Sequence, residues 1–295
     1  MLAEKIAASL ILLQQGEPLA LSMNPSQGYW LGFSGGKDSV VLLSLAKLSG
    51  VKFHAEYHVV GNDAPSTVYF IRENFPEVNF WHPWEKFIPL VRKKGLPTMQ
   101  RRFCCERTKE AGGKGEVVLT GVRAEESRKR AAYSEVEIFS RRKEHEGKDR
   151  SRDVEWLKEV EHQCLKGQDR VMVRPLLNWT EDDIWEYTHK YHLPVNPNYA
   201  TCGRVGCMFC PFAPKDQIEH YEQIYPGFHR AIMDALHVYW QKSPEHFLQT
   251  PEAYYDWWKS KKTVNDFLAM EHAVPLNETK GSHSSEGATM EGKVD

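Results

Sequence analysis

Apolar residues fall along this chain in short blocks divided by longer amphipathic stretches. Residues Glu4 to Gln15 carry Ile6, Leu10 and Leu13 at helical spacing, which predicts a helix stopping at Gly16, with Pro18 just beyond. Tyr29 to Phe33 is a compact apolar run that reads as a buried strand. A Ser-Gly-Gly turn follows, and Val40 to Leu48 reads as a helix. The pattern then repeats: a strand over Lys52 to Val60, a helix from Pro65 to Phe75, a strand over Val78 to Trp81, a helix around Trp84 to Lys94, and a strand over Glu116 to Gly121. Strands alternating with helices imply an α/β domain with a parallel sheet and helices on both faces.

From Glu125 to Asp169 the pattern dissolves into dense charge with few apolar anchors before Val154 to Leu165, which predicts an excursion over the surface. Arg170 to Arg174 is strand-like and ends at Pro175. Thr180 is placed to cap a helix running through Tyr191. Beyond Cys210 the chain turns helical and aromatic, and the plainest reading is a small helical subdomain with an aromatic core. The expected organisation is an N-terminal helix over residues 1–28, a main domain over 29–212 that includes the excursion 125–169, a helical subdomain over 213–276, and a disordered tail over 277–295.

A formal charge of -2 argues against wholesale polyanion binding, so any nucleic-acid surface must be local. Between Arg92 and Arg130 there are twelve Lys or Arg against five Asp or Glu, which marks the one stretch where such a surface fits. No apolar run approaches the ~18 residues of a membrane span. The six cysteines are too few for a disulfide scaffold, and five stand in two tight groups, which points to a reduced compartment, the cytoplasm, and to a metal.

The chemistry of the glycine turn lies in Ser34-Gly35-Gly36-Lys37-Asp38-Ser39. Glycines let a backbone approach phosphate oxygens, a helix N-terminus behind them favours negative charge, Lys37 neutralises phosphate, and Asp38 would hold Mg²⁺ or cap the helix at Val40. This string, after a strand and before a helix, resembles the PP-loop of ATP pyrophosphatases and sulfonucleotide reductases, written Ser-Gly-Gly-x-Asp-Ser. Further matches narrow the resemblance to the phosphoadenosine-phosphosulfate (PAPS) reductase family. They are the stretch from Gly121 and Arg123 through Glu126, Ser127 and Arg130, the stretch from Arg174-Pro175 through Trp179, Trp185 and Tyr187, and Leu193-Pro194 through Asn196, Pro197 and Tyr199. The resemblance implies a Rossmann-like fold of the adenine nucleotide alpha hydrolase kind. It also implies a site for ATP or a related adenine nucleotide formed by Ser34 to Ser39 with Gly121 and Arg123, in which Lys37, Asp38 and Arg123 act in catalysis. Where the family often carries Asp-Thr-Gly after its second strand, this chain has Val59-Val60-Gly61.

Cys104-Cys105 and the later group Cys202, Cys207 and Cys210 supply five thiols for the four positions of a zinc site or a 4Fe-4S cluster, and spacing does not separate the two metals. Resemblance favours the cluster, because the Cys-Cys pair is similar to that of adenylylsulfate reductases and the second group to the ATP pyrophosphatase of DNA phosphorothioation systems. Cys104, Cys202, Cys207 and Cys210 are the favoured ligands; on the reductase pattern Cys105 replaces Cys202. Cys164 reads as a simple buried or half-exposed thiol.

Three functions follow. The first is cleavage of ATP to AMP and pyrophosphate, activating an acceptor such as DNA or tRNA at residues 92–130 for sulfur delivered by a donor such as a cysteine desulfurase. The second is a sulfonucleotide reductase releasing sulfite. Family reductases use a catalytic cysteine in a C-terminal segment like Glu-Cys-Gly-x-His, and no cysteine follows Cys210, so an internal thiol would have to serve. The third is a non-catalytic, cluster-bearing nucleotide sensor.

Overall fold

The computed structural model describes residues 1–139, 151–159, 169–242 and 248–273. In chain order, the first half runs α1 (Leu2–Met23), β1 (Tyr29–Phe33), α2 (Lys37–Ser49), β2 (Phe53–His58), α3 (Pro65–Asn74), β3 (Asn79–Trp81), α4 (Phe87–Lys94), α5 (Phe103–Arg107) and β4 (Val117–Leu119). A short 3₁₀ turn (Ala124–Glu126) leads to α6 (Arg128–Ala131), β5 (Val136–Phe139), β6 (Ser151–Arg152), α7 (Trp156–Glu159) and β7 (Arg170–Val173). The chain then continues through α8 (Glu181–Lys190), α9 (Asn198–Cys202), α10 (Lys215–Ile224), α11 (Pro226–Lys242), α12 (Pro251–Ser260) and α13 (Val264–Ala273).

The strands form one sheet in the order β3-β2-β1-β4-β7-β5-β6. β3, β2, β1, β4 and β7 are parallel, with Leu31 of β1 in register with Ala55 on one side and Leu119 on the other. The chain builds outward from β1 through β2 to β3 and then returns to the other side of β1 with β4. This reversal opens a crevice at the carboxyl ends of β1 and β4, the place where open α/β sheets bind ligands.

Two expectations need correction. The sheet is mixed rather than purely parallel, because β5 runs antiparallel to β7 and β6 antiparallel to β5. The charged excursion therefore supplies a sheet edge as well as surface. Val136 is fully buried opposite Val173, and Arg174 ties the edge down through Glu137 at 3.0 Å, the Ser134 carbonyl at 2.7 Å and the face of Tyr133. The first helix does not stop at Gly16 but runs through Pro18 to Met23. Leu19 and Ala20 are buried in the core, and Gly16 leaves room for the Tyr29 hydroxyl, which donates to the Leu13 carbonyl at 2.6 Å. Packing outweighs the local cost of the proline.

A main hydrophobic cluster joins the sheet to α1, α2, α3 and α8. A second cluster, around Phe87, Phe209, Ile218, Leu236 and Trp258, joins α4 and α5 to the C-terminal helices, which form the expected subdomain with an aromatic core. Cys164 and the tail 277–295 lie outside the described residues. No helix among those residues is long and apolar enough to cross a membrane.

Candidate functional site

The glycine turn leaves β1 and enters α2 three residues earlier than the apolar pattern predicts. Gly36 is the N-cap, and Lys37, Asp38 and Ser39 form the first helical turn, so Asp38 lies inside the helix rather than capping Val40. Gly35 sits at φ +71°, in the left-handed region that a side chain disfavours. The turn is braced from within: the Ser39 hydroxyl donates to the Gly36 carbonyl at 2.8 Å and accepts the Ser34 amide at 3.2 Å. From outside, Asn196 donates to the Gly35 carbonyl at 3.1 Å, and the Tyr199 hydroxyl accepts the Lys37 amide at 2.9 Å.

Gly121 and Arg123 leave the end of β4 against this turn. A Cβ on Gly121 would lie 3.0 Å from the Asp38 carbonyl oxygen, so only glycine lets the two loops touch. Arg123, 3% exposed, donates from Nε to Asp38 at 2.6 Å and from Nη1 to Glu125 at 2.7 Å. Lys37 pairs with Asp38 at 3.3 Å and Glu181 at 3.5 Å. Burial works to lower the pKa of both cations, but the surrounding charge prevails: Asp38, Tyr199 and Glu181 hold Lys37 above its ordinary value, and Asp38 with Glu126 and Glu125 does the same for Arg123. Both groups stay charged. The loop, Gly121 and Arg123 thus come together as the sequence predicts. One Asp38 oxygen accepts from Arg123 and the other pairs with Lys37.

Beside the loop lies a cavity of about 440 Å³ lined by Ser34, Glu56, His58, Asp63, Lys109 and Thr120 among others. Its floor is a polar relay absent from the sequence reading. Glu56 accepts from the Trp30 indole at 2.8 Å and pairs with His58 Nε2 at 3.0 Å, while His58 Nδ1 meets the Thr108 carbonyl at 2.8 Å. The His58 bond, against the opposing effect of burial, helps hold Glu56 below the usual carboxylate range. Alternation within β2 was the only signal for these residues. Tyr199 and Asn196 lay in the Leu-Pro-Val-Asn-Pro-Asn-Tyr segment, but nothing local showed them folding over the loop. Glu181 lay in a capping box that is present as expected, with Thr180 and Asp183 bonding reciprocally.

The cysteine groups meet in the second hydrophobic cluster, Cys104 and Cys207 buried and the other three partly so. The loop bearing Cys207 is stitched to the segment after β2, where this chain departs from Asp-Thr-Gly. Asn62 exchanges side-chain bonds with the Phe209 backbone at 2.8 and 3.1 Å, and its carbonyl accepts the Met208 amide. Val205 and Gly206 of the same loop reach the cavity wall. Cys105 hydrogen-bonds Cys104, which with Lys109 and Arg102 outweighs burial and lowers the Cys105 thiol to about 6; the same contact and burial push Cys104 up. Burial raises Cys207 to about 11 against the pull of Lys109. Cys202 stands apart from this chain of contacts and faces the Tyr221 hydroxyl. Among the described residues no three His, Cys, Asp or Glu converge as metal ligands do, so the thiols as arranged do not fit a zinc or 4Fe-4S cage.

Residues 92–213 match the model of the phosphoadenosine phosphosulfate reductase domain, a stretch that holds Arg123 and the five clustered cysteines but begins after the glycine loop. Together with the sheet order and the site at its reversal, this decides the architecture. The fold is that of the PAPS reductase/PP-loop superfamily. Within that superfamily the chain is similar to an uncharacterized 37.8 kDa protein in the gpa 5′ region of Escherichia phage 186, 28% identical over 45% of this chain and 36% of that protein. It is also similar to the sulfate adenylyltransferase subunit 2 of Rhizobium tropici, 34% identical over 30% of this chain and 29% of that protein. The matched stretches thus span about a third of these curated relatives. Among solved structures, the PAPS reductase of Candida auris aligns over 67% of this chain and 89% of its own, at 17% identity and a TM-score of 0.42. The PP-loop fold here is a mixed sheet with flanking helices and a C-terminal helical subdomain, a catalytic architecture of the adenine nucleotide alpha hydrolase kind.

Proposed function

We propose that this protein is a PP-loop enzyme that binds an adenine nucleotide with its phosphate end on Ser34 to Ser39, Lys37 and Arg123, and that the bound nucleotide is a sulfonucleotide whose sulfur is passed to an internal thiol. The observation that carries the reading is a cavity that opens beside the loop at Ser34 and has Lys109, which lies beside Cys105 and Cys207, in its wall. The family match supports a sulfonucleotide over ATP.

In this reading the Cys105 thiolate attacks the sulfonyl sulfur and forms an S–S bond. The bond from sulfur to the phosphate oxygen breaks, and its electron pair leaves on the nucleotide, where Lys37 and Arg123 stabilise the added charge. A thiolate of an external dithiol then attacks Cys105 Sγ, sulfite leaves with the electron pair of the S–S bond, and the second thiol of the dithiol resolves the mixed disulfide and returns the Cys105 thiolate. No step passes through Mg²⁺, zinc or an iron–sulfur cluster.

A second reading is favoured by the exposed basic stretch after α4. Here ATP is the nucleotide, an acceptor oxygen attacks its α-phosphorus, pyrophosphate leaves against Lys37 and Arg123, and the adenylated acceptor takes sulfur from a donor such as a cysteine desulfurase. One assay separates the two: anaerobic incubation with labelled sulfonucleotide plus dithiol, or with ATP, following sulfite, AMP and pyrophosphate. Sulfite release that is lost in Cys105→Ser supports the first reading. AMP and pyrophosphate from ATP without sulfite support the second. Neither product overturns both and leaves nucleotide sensing.

A further inference from the structure

Three neighbouring strands bring one residue each to the same level of the sheet beside the phosphate loop. Gly32 of β1 is in register with Glu56 of β2, and Thr120 follows Leu119 of β4, which pairs with Leu31. Residues level with one another share a face of the sheet, so Glu56 and Thr120 flank a position that bears no side chain. Alternation along β1 and β2 adds Trp30 and His58 to the same face. All five line the cavity, as does Ser34, which opens the loop. Ser34 stands two residues, roughly 7 Å, beyond Gly32, a gap that a pentose spans between a phosphate and its base.

Gly32 opens this level. A Cβ there would lie 2.9 Å from the six-membered ring of Trp30, so the indole itself leans into the space a side chain would fill. Trp30 meets His58 edge to face with centroids 5.5 Å apart, and Trp81 stacks on His58 at 4.5 Å. A Cβ on Gly112 would lie 2.3 Å from Trp30 and 2.7 Å from His58, so the loop after α5 packs bare backbone against both rings. The cavity therefore has a fixed aromatic floor.

Glu56 stands at that floor with its two oxygens unequally engaged. Oε2 takes the Trp30 indole N–H at 2.8 Å and lies 3.0 Å from His58 Nε2, while Oε1 has no hydrogen bond among the described residues. The side chain is 25% exposed, so water or a ligand reaches it. The bond from His58 holds the carboxyl below the usual range against the effect of burial, and an ionised carboxylate can only accept. One oxygen anchors the group, and the other is a fixed, unfilled acceptor.

We infer that Glu56 selects the base of the bound nucleotide: Oε1 accepts a hydrogen bond from the exocyclic amino group of adenine, with the base against the Trp30 and His58 floor and the phosphate on the loop. A 6-keto purine would set its oxygen against Oε1, acceptor against acceptor, and both would lose water without compensation. The aromatic floor favours a base over a sugar as the group held here. This rests on the reading that the cavity beside Ser34 holds an adenine nucleotide.

The test is calorimetric titration of the full chain with AMP, IMP, purine riboside 5′-monophosphate, 2′-deoxy-AMP and pyrophosphate. AMP should bind about 10- to 100-fold more tightly than IMP, and 2′-deoxy-AMP should match AMP. Purine riboside 5′-monophosphate lacks the amino group and reads the contact with no substitution to disturb the fold; it should bind about ten-fold or more below AMP. In Glu56→Gln the amide oxygen stays on the Trp30 indole, which can only donate, and the NH₂ turns to the cavity, so the preference for AMP over IMP should vanish or reverse. Equal affinity of the parent for AMP, IMP and the purine riboside nucleotide overturns the inference, and a loss confined to 2′-deoxy-AMP overturns it by making Glu56 a sugar contact. Pyrophosphate binding without preference among the bases removes Glu56 from base selection and leaves the phosphate loop as read. Failure of both pyrophosphate and AMP to bind overturns the nucleotide reading and the inference with it.

Discussion

The Tyr199 hydroxyl accepts the backbone amide of Lys37 at 2.9 Å, at the N-terminus of α2, where a phosphate oxygen is otherwise best received. On the proposed phosphate site, the tyrosine stands where the anion would bind and ligand binding would displace it. Tyr199→Phe removes the competitor and should tighten pyrophosphate or nucleotide binding by a factor of about 2 to 10, the worth of one hydrogen bond. Calorimetric titration decides this; weaker binding would make Tyr199 a ligand contact instead.

Asp38 neutralises both Arg123 and Lys37. Asp38→Asn leaves the buried guanidinium with Glu125 and Glu126 as its carboxylates, so the protein should lose about 1.5–3 kcal/mol of stability, the range for hydrogen bonds to charged groups. The two cations it frees should raise pyrophosphate affinity measured without divalent metal. Unchanged stability together with weaker pyrophosphate binding would make Asp38 a direct ligand contact.

Arg123 reaches Asp38 and Glu125 through different nitrogens, a forked geometry that an ammonium cannot reproduce. Arg123→Lys should therefore retain the fold by circular dichroism but lose roughly 10²–10³ in kcat, the scale for removing one preorganised charge-stabilising group. Full activity in the lysine variant would reduce Arg123 to a point charge.

The hydrogen bond from Cys104, with Lys109 and Arg102, places the Cys105 thiol at about 6, below its ordinary value of 9.0. A depressed thiol pKa means the reactive thiolate predominates above that value and is lost as pH falls through it. Alkylation of Cys105, followed by peptide mass spectrometry, should be half-maximal near pH 6 and move toward pH 9 in Cys104→Ala, which removes the donor. A parent midpoint near 9 would remove Cys105 as the attacking thiol.

Much of this site was legible locally. A strand of five apolar or small residues, a Gly-Gly turn and a helix rich in Val and Leu specify a backbone path by burial and glycine freedom, and the six-residue loop string carries its own chemistry. Thr180 and Asp183 likewise cap α8 by a bond that spans three residues. What the sequence by itself determined is therefore the class of fold, the phosphate loop and its neighbours in the motif. Only tertiary structure decided the rest. Helix α1 continues through Pro18 because Leu19 and Ala20 have a core to enter, and the charged excursion becomes a sheet edge because Val136 meets Val173. Tyr199 covers Lys37 from 162 positions away, and Cys207 meets Asp63 through a bridge formed by the loop after β2. Propensity and periodicity describe each segment's own backbone and burial; the distance between two side chains on separate segments is set by how whole elements pack, and no local pattern contains it.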